Sequence, residues 1–290
     1  MLVITYLTAI LAAMLNASSS VIQRWATAKP EADKLFGRSF AYKMLKSKLF
    51  LIGFTLQVTA FISQAIALKN GPLIIVEPLL TCDLIFLLVI IHWRLDIRMR
   101  LRDWIAAIMI MGGLTGLFAA TNPQEGHLNY QAEPWIILVS IAAPVIIALA
   151  VVIRHLKSPQ GRASLAALAA AAAFALNAAF TKLSLNLLTK HGVIVMLTSW
   201  PIFALIVSGL VSLYLMLNAY GSGPLAISQP IMEVVEPAAA VIIGVMIFGD
   251  SYNSSIAALA IGLASTLVLI AGIVSLGSSP RLQQAGERGI

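Results

Sequence analysis

Nearly every apolar run in this chain is close to the roughly 20 residues that a helix needs to cross a hydrocarbon core about 30 Å thick. That single regularity constrains the fold more than any motif does. A segment inside a bilayer must satisfy its backbone hydrogen bonds internally, which leaves helices or a closed barrel. The runs are continuous rather than alternating, and continuity selects helices. Of the 290 residues 60% are hydrophobic and 11% charged, too little polar surface for a soluble domain of this size. The chain therefore reads as an all-α polytopic membrane protein.

Nine spans are expected, at about 2–21, 49–68, 71–93, 103–120, 134–153, 163–188, 193–218, 224–248 and 254–276. Lys and Arg gather on alternate sides. One side receives the basic residues from Arg24 to Lys48, then Arg94 to Arg102, Arg154 to Arg162, Arg281 and Arg288. The other side has only Lys69 and Lys190, with Lys182 inside the sixth span. This asymmetry predicts the N-terminus outside and the C-terminus in the cytoplasm, and it agrees with an odd number of spans. The net charge of +7 is thus topology information, and no nucleic-acid partner is expected. The first span lacks the basic leader of a signal peptide and reads as a retained helix.

The segment 22–48 is basic, yet it carries Phe36, Phe40 and Met44 at helical spacing. It reads either as an amphipathic helix on the cytoplasmic membrane surface, drawn to anionic lipid, or as a solvated basic loop. Residues 277–290 read as a short disordered tail.

The two halves resemble each other. Ala67, Gly71, Pro72 and Pro78 recur as Ala219, Gly223, Pro224 and Pro230, all at an offset of 152. Leu15-Asn16-Ala17 recurs as Leu176-Asn177-Ala178. Spans 1–4 thus repeat as spans 6–9. The shift is five spans, an odd number, so the copies have opposite orientation, as in many secondary transporters. The expected organisation is a 4+1+4 inverted repeat: 1–121 the first repeat, 122–162 a linking helix with its loops, 163–276 the second repeat, and 277–290 the cytoplasmic tail.

A second span ending in Ala-x-x-x-Gly-Pro, a Pro-bearing third span and a fourth span with Gly112, Gly113 and Gly116 together resemble the drug/metabolite transporter superfamily. Those proteins usually have ten helices in two inverted halves. A nine-helix form with a joining helix is similar to the NIPA-like magnesium transporter branch. The resemblance implies alternating access around a midplane cavity lined by spans 1, 3, 6 and 8. It fixes no substrate.

Ionisable groups inside a membrane are costly and are functional candidates by default. Five lie within the spans: Glu77, Asp83, Lys182, Glu233 and Glu236. At about 1.5 Å per residue, Glu77 falls near 9 Å along its span and Asp83 near 18 Å. Glu233 and Glu236 fall near 15 and 20 Å along theirs. Asp83, Glu233 and Glu236 are therefore expected near the midplane. Glu233 and Glu236 share one helix face, which Gln229 extends. Pro230 and Pro237 each remove a helix hydrogen bond and predict a kink. Such carboxylates can bind a cation or carry protons through raised pKa values, or they can simply pair inside the protein. Lys182 can pair with one of them or meet an anionic solute group. Asn16 and Asn177 line the expected cavity, although amides in spans, Gln57 and Gln64 included, often serve as inter-helix hydrogen-bond glue.

The four histidines have no metal-ligand spacing, and the single cysteine, Cys82, reads as a small apolar-run residue. Nucleotide-binding, zinc-hydrolase and nucleophile-elbow motifs are absent, so no enzyme activity and no cofactor are expected. The expected function is secondary transport of a small organic metabolite or drug-like solute, coupled to a cation or proton. Alternatives are a divalent cation such as Mg²⁺, a lipid or lipid-linked substrate, and a non-transporting membrane scaffold. Membrane lipids and a small-molecule or cation substrate are the expected partners, a homodimer is compatible with the sequence, and the plasma membrane is the expected location.

Overall fold

The computed structural model describes residues 2–27, 46–70, 76, 79–121, 132–249, 252–253 and 255–282. Among these there are helices and turns but no strand. The helices are α1 (Leu2–Thr27), α2 (Lys48–Asn70), α3 (Asp83–Leu95), α4 (Leu101–Thr121), α5 (Ala132–His155), α6 (Pro159–Thr198), α7 (Trp200–Ser222), α8 (Leu225–Ile243, continued by a π-turn over Gly244–Phe248) and α9 (Ile256–Gly277). All but α3 are long and apolar enough to cross a membrane. Large apolar side chains stand exposed along them, for instance Phe61, Ile147, Leu210 and Leu263. Water would not tolerate so much apolar surface, whereas lipid does. The protein is a multi-pass helical membrane protein.

Several expected boundaries shift. The third span, expected over 71–93, is interrupted: Val76, Leu79 and Leu80 are helical, and a new helix, α3, starts at Asp83 and has 13 residues. Just before it, Thr81 and Cys82 form a turn. The sixth helix runs on to Thr198, with a break at Gly192 (φ 85°, ψ 175°). That region of backbone space is essentially open to glycine alone, so Gly192 is where the helix can change direction. A second interruption at Ser199 means that the seventh span starts at Trp200 rather than 193. Helix α8 runs through both Pro230 and Pro237 without ending at either. The start of the expected surface segment belongs to α1, which continues to Thr27. Its central part, 28–45, lies outside the described residues, as do Glu77, residues 122–131 and 283–290. The first part of the expected tail is packed, with Ser279 and Leu282 buried.

The chain forms two compact units. The first comprises Met1–Asn122, Tyr220–Pro230 and Asn253–Ile290. The second comprises Pro123–Ala219 and Ile231–Tyr252.

In the first unit α1 and α2 pack antiparallel, with Ala9 beside Ala67 at one end and Gln23 against Gly53 at the other. Helices α4 and α9 form a second antiparallel pair. Arg102 at the start of α4 reaches Ser275 and Ser278 at the end of α9. At the opposite end the Asn253 N–H donates to the Thr121 carbonyl at 2.8 Å. Glycines bring these helices together. A Cβ on Gly113 would lie 2.8 Å from Leu269 Cβ, and one on Gly272 would lie 2.9 Å from the Ala106 carbonyl oxygen. Without a hydrophobic force between helices in lipid, such close backbone approach is what holds the pair.

In the second unit α5 packs on α6, whose buried face is mostly alanine: Ala163, Ala166, Ala167 and Ala169 to Ala171 are fully covered. Trp135 of α5, 1% exposed, stacks on Phe180 with ring centroids 5.2 Å apart. Trp200 and Phe248 meet the same indole edge-on at 5.8 and 5.6 Å. Ser158 caps α6, accepting from the Gly161 N–H.

Candidate functional site

The interruption of the third span creates a helix N-terminus within an apolar run, and Asp83 is its first residue. The helix begins with tight turns: the Leu84 N–H donates to the Thr81 carbonyl at 3.3 Å, and the Ile85 N–H to the Cys82 carbonyl at 2.9 Å. A carboxylate here sits at the positive end of the helix dipole. Asp83 is 1% exposed. An isolated buried carboxylate would be very costly, so what surrounds it decides whether it is tolerated.

Two amides surround it. Asn16 of α1 donates from Nδ2 to Asp83 Oδ2 at 2.7 Å. Gln229 of α8 donates from Nε2 to the same oxygen at 3.1 Å. The other end of the Gln229 amide is also engaged, because Oε1 accepts from the Tyr220 hydroxyl at 3.0 Å. Tyr220 Oη lies 3.2 Å from Ser20 Oγ. Since the phenol gives its proton to Gln229, Ser20 is the donor in that contact. The amide orientations follow from the same reasoning, because an ionised carboxylate only accepts. The result is a buried polar chain from Ser20 through Tyr220, Gln229 and Asp83 to Asn16.

One more residue closes this network. Tyr220 is four residues before Pro224, which has no N–H to offer the Tyr220 carbonyl. The Arg24 guanidinium fills that vacancy, donating from Nη1 to the Tyr220 carbonyl oxygen. Arg24 was expected in a basic loop; instead it is 7% exposed on the last turns of α1. A cation at the carbonyl end of α7 also suits that helix's dipole. Nearby, Gln23 Nε2 donates to Gln57 Oε1 at 2.7 Å, and Ser19 Oγ donates to the Gly53 carbonyl at 2.8 Å. Gln57 thus joins α1 to α2, as expected of an inter-helix amide.

The remaining candidates divide. Glu233 and Glu236 are half-buried on the part of α8 that belongs to the second unit, whereas Asp83 belongs to the first. Asn177, which sits in the same Leu-Asn-Ala tripeptide as Asn16, donates from Nδ2 to the Leu205 carbonyl at 2.9 Å and to Ser208 Oγ at 3.1 Å. It ties α6 to α7. Lys182 Nζ sits 4.6 Å from the centroid of the Phe248 ring, a cation–π contact. Among the described residues no three of His, Cys, Asp and Glu gather closely enough to hold a metal ion.

Sequence reasoning passed over Ser20, Tyr220 and Arg24. The Pro224 signal was legible, since a proline four residues after a carbonyl in the last helical turn has no N–H to pair with it. Which donor would fill it was not.

No family model matches the chain, and no solved structure does. A protein of Corynebacterium glutamicum, described as uncharacterized, is 21% identical over 281 residues. The match covers 97% of this chain and 96% of that one, so the similarity runs end to end.

Proposed function

We propose that this protein is a secondary transporter of the drug/metabolite type, moving a small organic solute by alternating access, with Asp83 carrying the coupling proton or cation. The observation that carries the reading is the buried Asp83 carboxylate at the start of an interrupted helix, held by Asn16 and Gln229. Transporters place binding sites at such broken helices, where half-helix ends supply charge inside the membrane. A carboxylate held on three helices can report its protonation to all three, because neutralising it weakens the charge-assisted hydrogen bonds that both amides donate to it. The inverted 4+1+4 repeat, the plasma-membrane location and the N-outside orientation belong to the same proposal and rest on the sequence periodicities.

The Mg²⁺ alternative, implied by likeness to the NIPA-like branch, has less support at this residue. A hard cation needs oxygen ligands, and Asp83 Oδ2 is instead met by two N–H donors.

The test is solute-driven proton movement. Purified protein is placed in liposomes loaded with a pH-sensitive dye and exposed to a panel of small organic solutes. Solute-dependent internal pH change in the wild type, lost in Asp83→Asn, is the expected result. Solute uptake that is equal in wild type and Asp83→Asn would remove Asp83 from the coupling role.

A further inference from the structure

Arg24 makes one described hydrogen bond, to the Tyr220 carbonyl, and none from its Nε–H. The side chain is 7% exposed, and no carboxylate contacts it among the described residues. A guanidinium has five donors and cannot deprotonate, and here the buried Nε–H is left unused. One backbone carbonyl does not balance a full positive charge.

Two more buried groups with unused capacity lie at the same end of the first unit. Ser228, in the first turn of α8, is fully covered, and its Oγ has no partner among the described residues. Ser279, just past α9, is 1% exposed with its Oγ in the same condition. The elements that carry them meet: Arg24 bonds the end of α7, which leads directly into α8, and the end of α9 lies against Ile227, with a Cβ on Gly277 falling 4.0 Å from Ile227 Cγ1. Both hydroxyls can donate, and a guanidinium fork matches the oxygens of a phosphate or carboxylate.

We infer that Arg24, with Ser228 and Ser279, forms a binding site for an oxyanionic group, phosphate or carboxylate, at the junction of α1, α7, α8 and α9. Taking that anion as the cargo rests on the transporter reading; binding of the anion does not. The group belongs either to a soluble solute or to an anionic lipid headgroup, and these sources separate experimentally.

Binding is measured on the full-length protein without any flux, so its failure is distinct from failure of the transport reading. Detergent-purified protein is titrated calorimetrically with inorganic phosphate at constant ionic strength. In parallel, protein in phosphatidylcholine nanodiscs is compared with protein in nanodiscs containing phosphatidylglycerol, with retained lipid counted by native mass spectrometry. Saturable phosphate binding identifies a soluble anion, and selective retention of phosphatidylglycerol identifies a lipid. Arg24→Gln keeps a donor for the Tyr220 carbonyl but removes the charge, and it should weaken whichever probe binds at least about tenfold. Ser228→Ala, which leaves the Arg24 contact in place, should weaken it about threefold or more. Binding of neither probe to the wild type, or unchanged affinity in Arg24→Gln, overturns the site. Should Arg24→Gln fail to fold, unchanged affinity in Ser228→Ala overturns it.

Discussion

Gln229 Nε2 lies 3.1 Å from Asp83 Oδ2, joining residues 146 positions apart in the chain through a donor and a carboxylate that are both almost wholly buried. Its other amide end takes the Tyr220 hydroxyl, so one side chain holds two partners that both need it. Substituting Gln229→Leu removes the donor to Asp83 and the acceptor of Tyr220 together. The expected loss is about 1–3 kcal/mol, because a buried charged acceptor is left short of a donor. Thermal unfolding in detergent measures it. Combining Gln229→Leu with Asp83→Leu should cost less than the sum of the two single changes, since the residues share one network.

The asparagines of the two Leu-Asn-Ala tripeptides should behave differently. Asn16 bonds the carboxylate, while Asn177 bonds a backbone carbonyl and a serine. Asn177→Ala is expected to lower stability by about 0.6–2 kcal/mol and to leave solute-driven proton movement in place. Asn16→Ala should reduce that movement. Equal activity in both variants would show that Asn16 is glue as well.

The adjacent glycines of α4 make an internal comparison. A Cβ on Gly113 would meet Leu269 and the Ser265 carbonyl at 2.8 Å, whereas one on Gly112 meets nothing within 4 Å. Gly113→Ala should destabilise the fold by about 1–3 kcal/mol through overpacking against backbone that cannot yield. Gly112→Ala should be neutral or slightly stabilising, since alanine is the better helix former. Folded yield and unfolding midpoint in detergent separate the two.

Charge distribution sets a topological expectation that labelling can check. In a Cys82→Ser background, cysteine at Lys190 should react with an impermeant maleimide added outside intact cells. Cysteine at Lys157 should react only after the membrane is opened. The opposite pattern would invert the orientation expected from the basic loops.

The helical, multi-pass nature of the chain was legible in the sequence because it depends on local quantities. Run length and continuity fix a membrane helix without reference to any neighbour, and the eight long apolar helices lie where the runs are. The Gly and Pro pattern likewise marked the α7–α8 junction at Gly223-Pro224. Asp83 and Gln229 stood out for the same local reason, as polar groups in apolar surroundings.

Tertiary structure decided the rest. Pro78 marks the run 71–93 as breakable, but where the helix restarts is not legible in it; Asp83 at the new end is held by Asn16 and Gln229, which come from distant parts of the chain. Arg24 looked like one more basic loop residue, since its burial depends on a carbonyl almost 200 positions away that Pro224 leaves unpaired. Asn16 and Asn177 sit in matching tripeptides and still take different partners. Hydropathy and helix spacing are properties of a segment, and the sequence determines them alone. The partner of a buried polar group is a property of the packed molecule, because the cost of leaving it unpaired is met by whichever donor or acceptor the fold brings within reach.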